Sequence, residues 1–286
     1  MDFSKFQIII LAAGKGTRMN NGELPKPLIA IHGKPMITYL AKAVLESGVS
    51  DKPAVVIGYL GDKIKDALGE NFRYIEQGEP LGTGHAVAIT EPFFKDKEHI
   101  IILYGDHPLV SEKTIRTLAE THLTRGATLS MGTATVSDFK EWRAPFYDFG
   151  RIKRDEAGNI IAIVEKKDST EAELAITEVN PSYFCFKASW LWENLKKIDN
   201  KNASGEYYLT SLISQAFEER TPISSIPIDP IEALGINTPL QLRMVEEVLR
   251  SKFYNTTAEN FIADVGRESA SGGPSRGEQK RFNTPR

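Results

Sequence analysis

The sequence predicts an α/β fold: a mostly parallel sheet with helices on both faces. Three observations lead there. The apolar runs QIIILA (7–12), AVVIGY (54–59) and HIIILYGD (99–106) are continuous rather than alternating, as in strands covered on both sides. Helix-like segments with mixed apolar and polar residues stand between them, which is the pattern of crossover connections. Glycine or acidic residues follow several runs, at the edge where such sheets bind ligands, beyond the carboxyl ends of the strands.

In chain order, residues 7–12 read as the first buried strand. Residues 35–48 (PMITYLAKAVLESG) read as a helix, with Pro35 near its first turn and Gly48 as its stop. Residues 54–59 form the next strand, 61–68 (GDKIKDAL) open a helix, and 73–77 (RYIEQ) are strand-like. Residues 82–93 (GTGHAVAITEPF) read as a turn and a helix before the strand at 99–106. The second half is less regular. Residues 127–136 are strand-like, and 150–168 read as a hairpin turning near Ala157-Gly158-Asn159. Residues 181–188 are another strand, 189–198 and 206–219 helices, and 240–254 an amphipathic helix. One continuous domain is expected over 1–262, its later strands and loops building a second wall over the sheet edge. Residues 263–286 are polar, rich in Gly, Ser and Arg, and without periodicity, so a disordered tail is expected.

The bulk composition sets limits. Hydrophobic residues at 41% and charged residues at 26% fit an ordinary globular chain. A formal charge of -3 gives no reason to expect nucleic-acid binding. Cys185 is the only cysteine, so neither an internal disulfide nor a multi-cysteine metal site is available, and its setting between Phe184 and Phe186 reads as core packing. No apolar run approaches the ~18 residues of a membrane span, and no export signal is visible. A cytoplasmic location and no membrane partner are expected.

The stretch LAAGKGTRM (11–19), which leaves the first strand, carries two glycines, a lysine and an arginine. Such a turn lets backbone N–H groups approach an anion. It is not a Walker A loop, which needs G-x-x-x-x-G-K-[ST], nor a G-x-G-x-x-G dinucleotide loop, because Thr17-Arg18-Met19 follow Gly16. Alone, it is equally compatible with a tight strand-to-helix connection.

Together with LPKPL (24–28), this stretch resembles the signature of the sugar-1-phosphate nucleotidyltransferases. Further matching stretches follow in order: EQGEPLGTGHA (76–86), LYGDHPL (103–109), FGRI (149–152), IVEKKD (163–168), EVN (178–180), GEYYLT (205–210) and GINTPLQL (235–242). Over about residues 7–250 the chain is most similar to the uridyltransferase domains of bacterial N-acetylglucosamine-1-phosphate uridyltransferases. The resemblance implies a Rossmann-like sheet of the nucleotide-diphospho-sugar transferase type. It also implies a reaction in which the phosphate of a sugar-1-phosphate attacks the α-phosphorus of UTP and pyrophosphate leaves.

The resemblance further implies the site residues. Arg18 and Lys26 are placed at the triphosphate, where catalysis is chiefly positioning and charge neutralisation. Asp106 and Asn237 are implied to hold Mg²⁺, whose preference is for hard oxygen donors; taken alone, Asp106 would equally serve as a helix N-cap and Asn237 as a turn residue. The nucleotide is expected against Ala12, Ala13, Gly14, Gly16, Gln77, Gly82 and Thr83. The Gln77 amide offers both a donor and an acceptor to a uracil edge, and thymine shares that edge. The sugar is expected against Gly150, Glu165, Asn180, Tyr208 and Thr210. His85 and His107 receive no chemical role, because an ionised phosphate nucleophile needs no general base.

Three features depart from the family pattern. NNGE before LPK is about one residue longer than expected. EVNPSYF (178–184) lacks the small, glycine-containing stretch expected after the asparagine, next to the expected sugar. The hexapeptide repeats of an acetyltransferase β-helix are not found, so neither that activity nor the trimer it enforces is expected. The leading expectation is UDP-N-acetylglucosamine formation. Its alternatives are the same chemistry with glucose-1-phosphate or another hexose-1-phosphate and UTP or dTTP, a non-catalytic nucleotide-sugar sensor, and a glycosyltransferase. The presence of Arg18, Lys26, Asp106 and Asn237 argues against the sensor, and the single acid of GDHP against the D-x-D motif of the glycosyltransferase.

Overall fold

The triplet Ile8-Ile9-Ile10 is buried on both faces of the sheet. Ile8 and Ile10 pack into one core and Ile9 into the other, because successive strand side chains point to opposite faces. The same division separates Val55 and Ile57 from Ala54 and Val56, and Ile101 and Leu103 from Ile100 and Ile102. Two helix-covered faces account for the continuous apolar runs.

A computed structural model describes residues 1–14, 24–202 and 204–254. In chain order the elements are β1 (Phe6–Leu11), a small hairpin of β2 (Ala30–Ile31) and β3 (Lys34–Pro35), α1 (Met36–Ser47), β4 (Ala54–Ile57), α2 (Gly61–Leu68), β5 (Arg73–Glu76), α3 (Thr83–Ala88) and β6 (His99–Tyr104). There follow α4 (Glu112–Arg125), β7 (Leu129–Thr135), the hairpin β8 (Gly150–Arg154) and β9 (Ile160–Val164), α5 (Glu171–Leu174), β10 (Glu178–Asn180), β11 (Phe184–Lys187), α6 (Ala188–Leu195), α7 (Ser211–Glu218), β12 (Ile223–Ile228) and α8 (Pro239–Tyr254).

The large sheet has the order β5-β4-β1-β6-β11-β7-β10-β8-β9, with β12 paired to β7. Strands β5, β4, β1 and β6 are parallel neighbours. Beyond β6, antiparallel pairings through β11 and β10 leave β7, β8 and β12 running in that same direction, against β11, β10 and β9. The mostly parallel sense of the sheet is thus kept, while its second half is mixed. Strand order jumps where β1 lies between β4 and β6, and that reversal opens a crevice at the carboxyl edge.

Local signals work as the sequence implies at α1, which stops at Gly48 in the left-handed conformation (φ 64°). The first half of the expected helix at 206–219 is corrected. Residues 206–210 form a strap across the 81–84 turn: Tyr207 N–H donates to the Leu81 carbonyl at 2.8 Å, and Gly84 N–H donates to that of Tyr207 at 2.7 Å. Those backbone groups are committed to the turn, so the helix begins at Ser211. The 1–262 boundary and the 263–286 tail fall beyond residue 254, outside the described residues. Among the described residues no helix is long and apolar enough to cross a membrane.

Candidate active site

The carboxyl ends of β1, β4 and β6 form the floor. Ala12 N–H donates to the Val56 carbonyl at 2.9 Å, and Gly105 N–H donates to that of Leu11 at 2.9 Å. These bonds set Ala12 against Gly105, the residue before Asp106, and Ala13 lies against Gly58. Arg18 and Gly16 lie outside the described residues.

Lys26 leads a short 3₁₀ turn (Lys26–Leu28) that follows Pro25. Its ammonium bridges two residues from distant parts of the chain. It donates to Asp106 Oδ2, forming an ion pair, and to Asn237 Oδ1 at 2.8 Å. Asn237 is itself held: its N–H donates to Gln241 Oε1 at 2.7 Å, and the N–H of neighbouring Ile236 donates to the Asp106 carbonyl at 3.0 Å. Burial works against the Asp106 carboxylate, yet its neighbours His107 and Lys26 hold its pKa below the ordinary value. Burial lowers the His107 pKa more than the adjacent carboxylate raises it.

A second layer fixes this corner. The Tyr183 hydroxyl donates to the Glu232 carbonyl at 2.7 Å and lies 2.8 Å from His107 Nδ1. A phenol has one proton and a carbonyl can only accept, so His107 donates from Nδ1. The ring packs flat against Gly235, where a Cβ would stand 2.9 Å from Nε2. Tyr183 belongs to the atypical EVNPSYF stretch, so that stretch is tied to the histidine beside Asp106.

Asp106 and Asn237 line one end of a cavity of about 340 Å³; Gly150, Glu165, Asn180, Tyr208 and Thr210 line the rest, with Thr83 on its wall. Gly150 and Asn180 are register partners across β8 and β10. A Cβ at Gly150 would stand 2.8 Å from the Ile163 side chain, too close to keep, while the Glu165 carboxylate oxygen would be in ordinary contact at 3.5 Å. Glu165 is exposed by surface area, but the cavity walls withhold solvent from its carboxyl and burial raises its pKa. Asn180 Oδ1 accepts from Ser182 N–H at 2.9 Å.

Gln77 lines a neighbouring cavity of about 360 Å³ with Ala13, Gly58, Tyr59 and Pro80. Its amide nitrogen donates to the Gly82 carbonyl at 3.2 Å and lies 3.1 Å from His85 Nδ1. The strap at 206–210 lines the first cavity with Tyr208 and Thr210. Thr83 Oγ1 accepts from Leu209 N–H at 3.0 Å and shares a hydrogen bond with the Tyr104 hydroxyl, whose pKa burial raises. Gly82 sits at φ 109°, and a Cβ there would be 2.6 Å from the Tyr207 carbonyl.

Thus Thr83, Asp106, Gly150, Glu165, Asn180, Tyr208, Thr210 and Asn237 line one cavity, with Lys26 bonded to two of them, and Ala13 and Gln77 line a second; Ala12, Gly14 and Gly82 line neither. Sequence reasoning missed the supporting residues. His85, His107, Tyr183 and Gln241 orient the expected ones. Arg151, fully buried, donates to the carbonyls of Phe149 and Tyr147 and lies 4.6 Å from the Phe139 ring and 5.2 Å from the Tyr147 ring. It holds the segment leading into Gly150. The departure at EVNPSYF was the one signal pointing to Tyr183.

A sequence profile of the nucleotidyl transferase family matches residues 7–229. The chain is 38% identical over 264 residues to a bifunctional protein GlmU of Brevibacillus brevis, covering 92% of this chain and 55% of that one. It is 40% identical over 247 residues to that of Heliobacterium modesticaldum, covering 85% and 52%. With that of Desulfotalea psychrophila it shares 36% over 249 residues, covering 86% and 70%. The chain spans about half the length of the first two relatives. A Bacillus anthracis protein assigned as a glucose-1-phosphate thymidylyltransferase, solved with sucrose, superposes with a TM-score of 0.68 at 17% identity, covering 86% of this chain and 95% of that one. That likeness concerns the fold alone.

Proposed function

The chain belongs to the nucleotidyl transferase family, and from that premise we propose that it joins UTP to a sugar-1-phosphate, N-acetylglucosamine-1-phosphate first among them. One observation carries the reading. A single ammonium, that of Lys26, draws together Asp106 and Asn237, 131 residues apart in sequence (237 − 106), at the end of a sugar-sized cavity.

In this reading the sugar lies against the Gly150 backbone, Glu165 and Asn180, with Tyr208 and Thr210 on the strap. Glu165 accepts hydrogen bonds from sugar hydroxyls, and the Asn180 amide group donates to a hydroxyl or an acetyl oxygen. The uracil lies against Ala12, Ala13, Gln77 and Gly82, with Gly14 and Gly16 under the phosphates. A sugar-phosphate oxygen then attacks the α-phosphorus. A new P–O bond forms, the bond to the bridging oxygen of the β-phosphate breaks, and its electrons leave with pyrophosphate. Lys26, with Arg18 from the glycine turn, neutralises charge on the phosphates.

The donor set fits Mg²⁺. Asp106 and Asn237 offer two hard oxygens that already attract a cation, and among the described residues no cluster of three or more His, Cys, Asp or Glu forms a closed cage. Such a pair leaves positions for phosphate oxygens and water. When bound, the ion would supply charge neutralisation on the phosphates. A reaction that consumes a nucleoside triphosphate is also consistent with the expected cytoplasmic location.

Pyrophosphate release with Mg²⁺, measured over four NTPs plus dTTP and a set of sugar-1-phosphates, tests the proposal. Signal from UTP with N-acetylglucosamine-1-phosphate is expected. Strong signal only with another hexose-1-phosphate would move the sugar assignment and draw attention to Pro181 and Ser182 on the cavity wall. Silence with every pair would overturn transfer altogether.

A further inference from the structure

We infer that His85 is a positioning residue for base choice: it locks the Gln77 side-chain amide so that only its oxygen is offered to the base. The inference rests on the nucleotidyl-transfer reading and goes further, because it sets which base edges the pocket accepts.

The argument is one of hydrogen-bond satisfiability. Gln77 is buried, and its N–H donates to the Ile57 carbonyl at 2.8 Å, which fixes its Cα at the end of β5. The Gly82 carbonyl, 3.2 Å from Gln77 Nε2, also accepts from Ala86 N–H at 3.0 Å in the first turn of α3. A carbonyl can only accept, so the amide NH₂ must face it, and the flipped amide would set oxygen against oxygen. His85 Nδ1 lies 3.1 Å from the same NH₂. It therefore accepts the second hydrogen, and the imidazole carries its own proton on Nε2. Both amide hydrogens are then committed to protein.

What remains is Gln77 Oε1. Among the described residues it accepts no hydrogen bond, and Gln77 lines the cavity next to Ala13 and the exposed Tyr59 ring. An oxygen can only accept. A base whose pairing edge meets Gln77 must therefore present a donor there, as uracil and thymine do with N3–H. Cytosine in that same pose turns its N3 lone pair to the oxygen and leaves both unsatisfied, and can offer its N4–H only by shifting out of that pose. Sites built on such matched polar groups reject the mismatched partner strongly. Without His85 one amide hydrogen is released and the long 3.2 Å bond to the Gly82 carbonyl is left alone to hold the amide, so the preference against cytosine weakens.

Two measurements decide this. Long-range ¹H–¹⁵N correlation spectra of the full chain read the tautomer of His85 directly, assigned by comparison with His85→Leu. The Nε2–H form is expected, and an Nδ1–H form overturns the proposal whether or not the protein turns over. Second, kcat/KM for UTP and CTP is compared in the wild type, His85→Leu and His85→Asn. The wild type is expected to favour UTP at least ~100-fold, about 2.7 kcal/mol. His85→Leu should cut that ratio at least tenfold. His85→Asn, whose side-chain oxygen can accept the same hydrogen, should restore it to within about threefold. A general loss of packing would lower both rates together and leave the ratio unchanged. An unchanged ratio in His85→Leu overturns the proposal, and a wild type inactive with every nucleotide overturns the transfer reading instead.

Discussion

Replacing Lys26 with methionine removes one charge and keeps most of the side-chain volume. The structure sets the size of the effect. The ammonium makes two charge-assisted hydrogen bonds, to Asp106 and to Asn237 at 2.8 Å, and such bonds to charged groups contribute about 1.5–3 kcal/mol each. The side chains of Lys26 and Asp106 are 14% and 23% exposed, so solvent screens part of that and the stability loss is about 1–3 kcal/mol. With Lys26 in the proposed role, a phosphate-neutralising charge is lost as well, and a fall in kcat/KM of at least ~100-fold is expected, about 2.7 kcal/mol. The two readouts separate the roles: urea unfolding reports the first, and steady-state pyrophosphate release well below the unfolding transition reports the second. The acid limb adds a check. With Lys26 gone, burial is less opposed and the Asp106 pKa rises, so the carboxylate is protonated at a higher pH than in the wild type. A folded variant that loses less than tenfold in kcat/KM would refute the placement of Lys26 at the reacting phosphates.

Three other outcomes follow from the same geometry. Glu165→Gln should raise the KM for the sugar-1-phosphate about tenfold while leaving that for UTP within twofold; equal changes in both would detach Glu165 from the sugar. Tyr183→Phe leaves the Glu232 carbonyl and His107 Nδ1 without their shared partner, so a loss of about 1–3 kcal/mol in urea unfolding is expected, and a change under half a kcal/mol would show the pair to be idle. His122 is buried with its Nε2 unpaired, and its pKa falls to about 4, first because of burial and then because of His99. The unfolded chain takes up that proton near the ordinary 6.5 and the folded chain only near 4, so stability is full above about pH 6.5 and falls by up to about 3 kcal/mol as pH drops to 4. His122→Leu should flatten that slope, and an unaltered slope would place the acid sensitivity elsewhere.

Some elements were hidden from the sequence for identifiable reasons. β12 reads Ile-Ser-Ser-Ile-Pro-Ile, with two serines and a proline. Among the described residues it pairs with β7 alone, and a strand with one free side is where a proline such as Pro227 is tolerated. α4 carried a legible stripe, with Ile115, Leu118, Ala119 and His122 buried at i, i+3, i+4 and i+7, but a histidine in an apolar position blurs such a pattern. Residues 206–210 follow no helical or strand periodicity because their hydrogen bonds go to the 81–84 turn.

The candidate site residues could be named from the sequence, because chemistry constrains residue type and short-range spacing. A glycine turn after an apolar strand, an acid ending another, and Gln77 a few residues before Gly82 are all local facts. Their meeting was not local. Lys26, Asp106 and Asn237 converge only because parallel strands end at one edge and the segment after β12 returns to it. The tertiary structure alone decided what holds them. Tyr183 braces His107, Arg151 anchors the approach to Gly150, and His85 occupies the second amide hydrogen of Gln77. These are hydrogen bonds and packing contacts that no sequence period announces, and their direction is fixed only when the chain is folded.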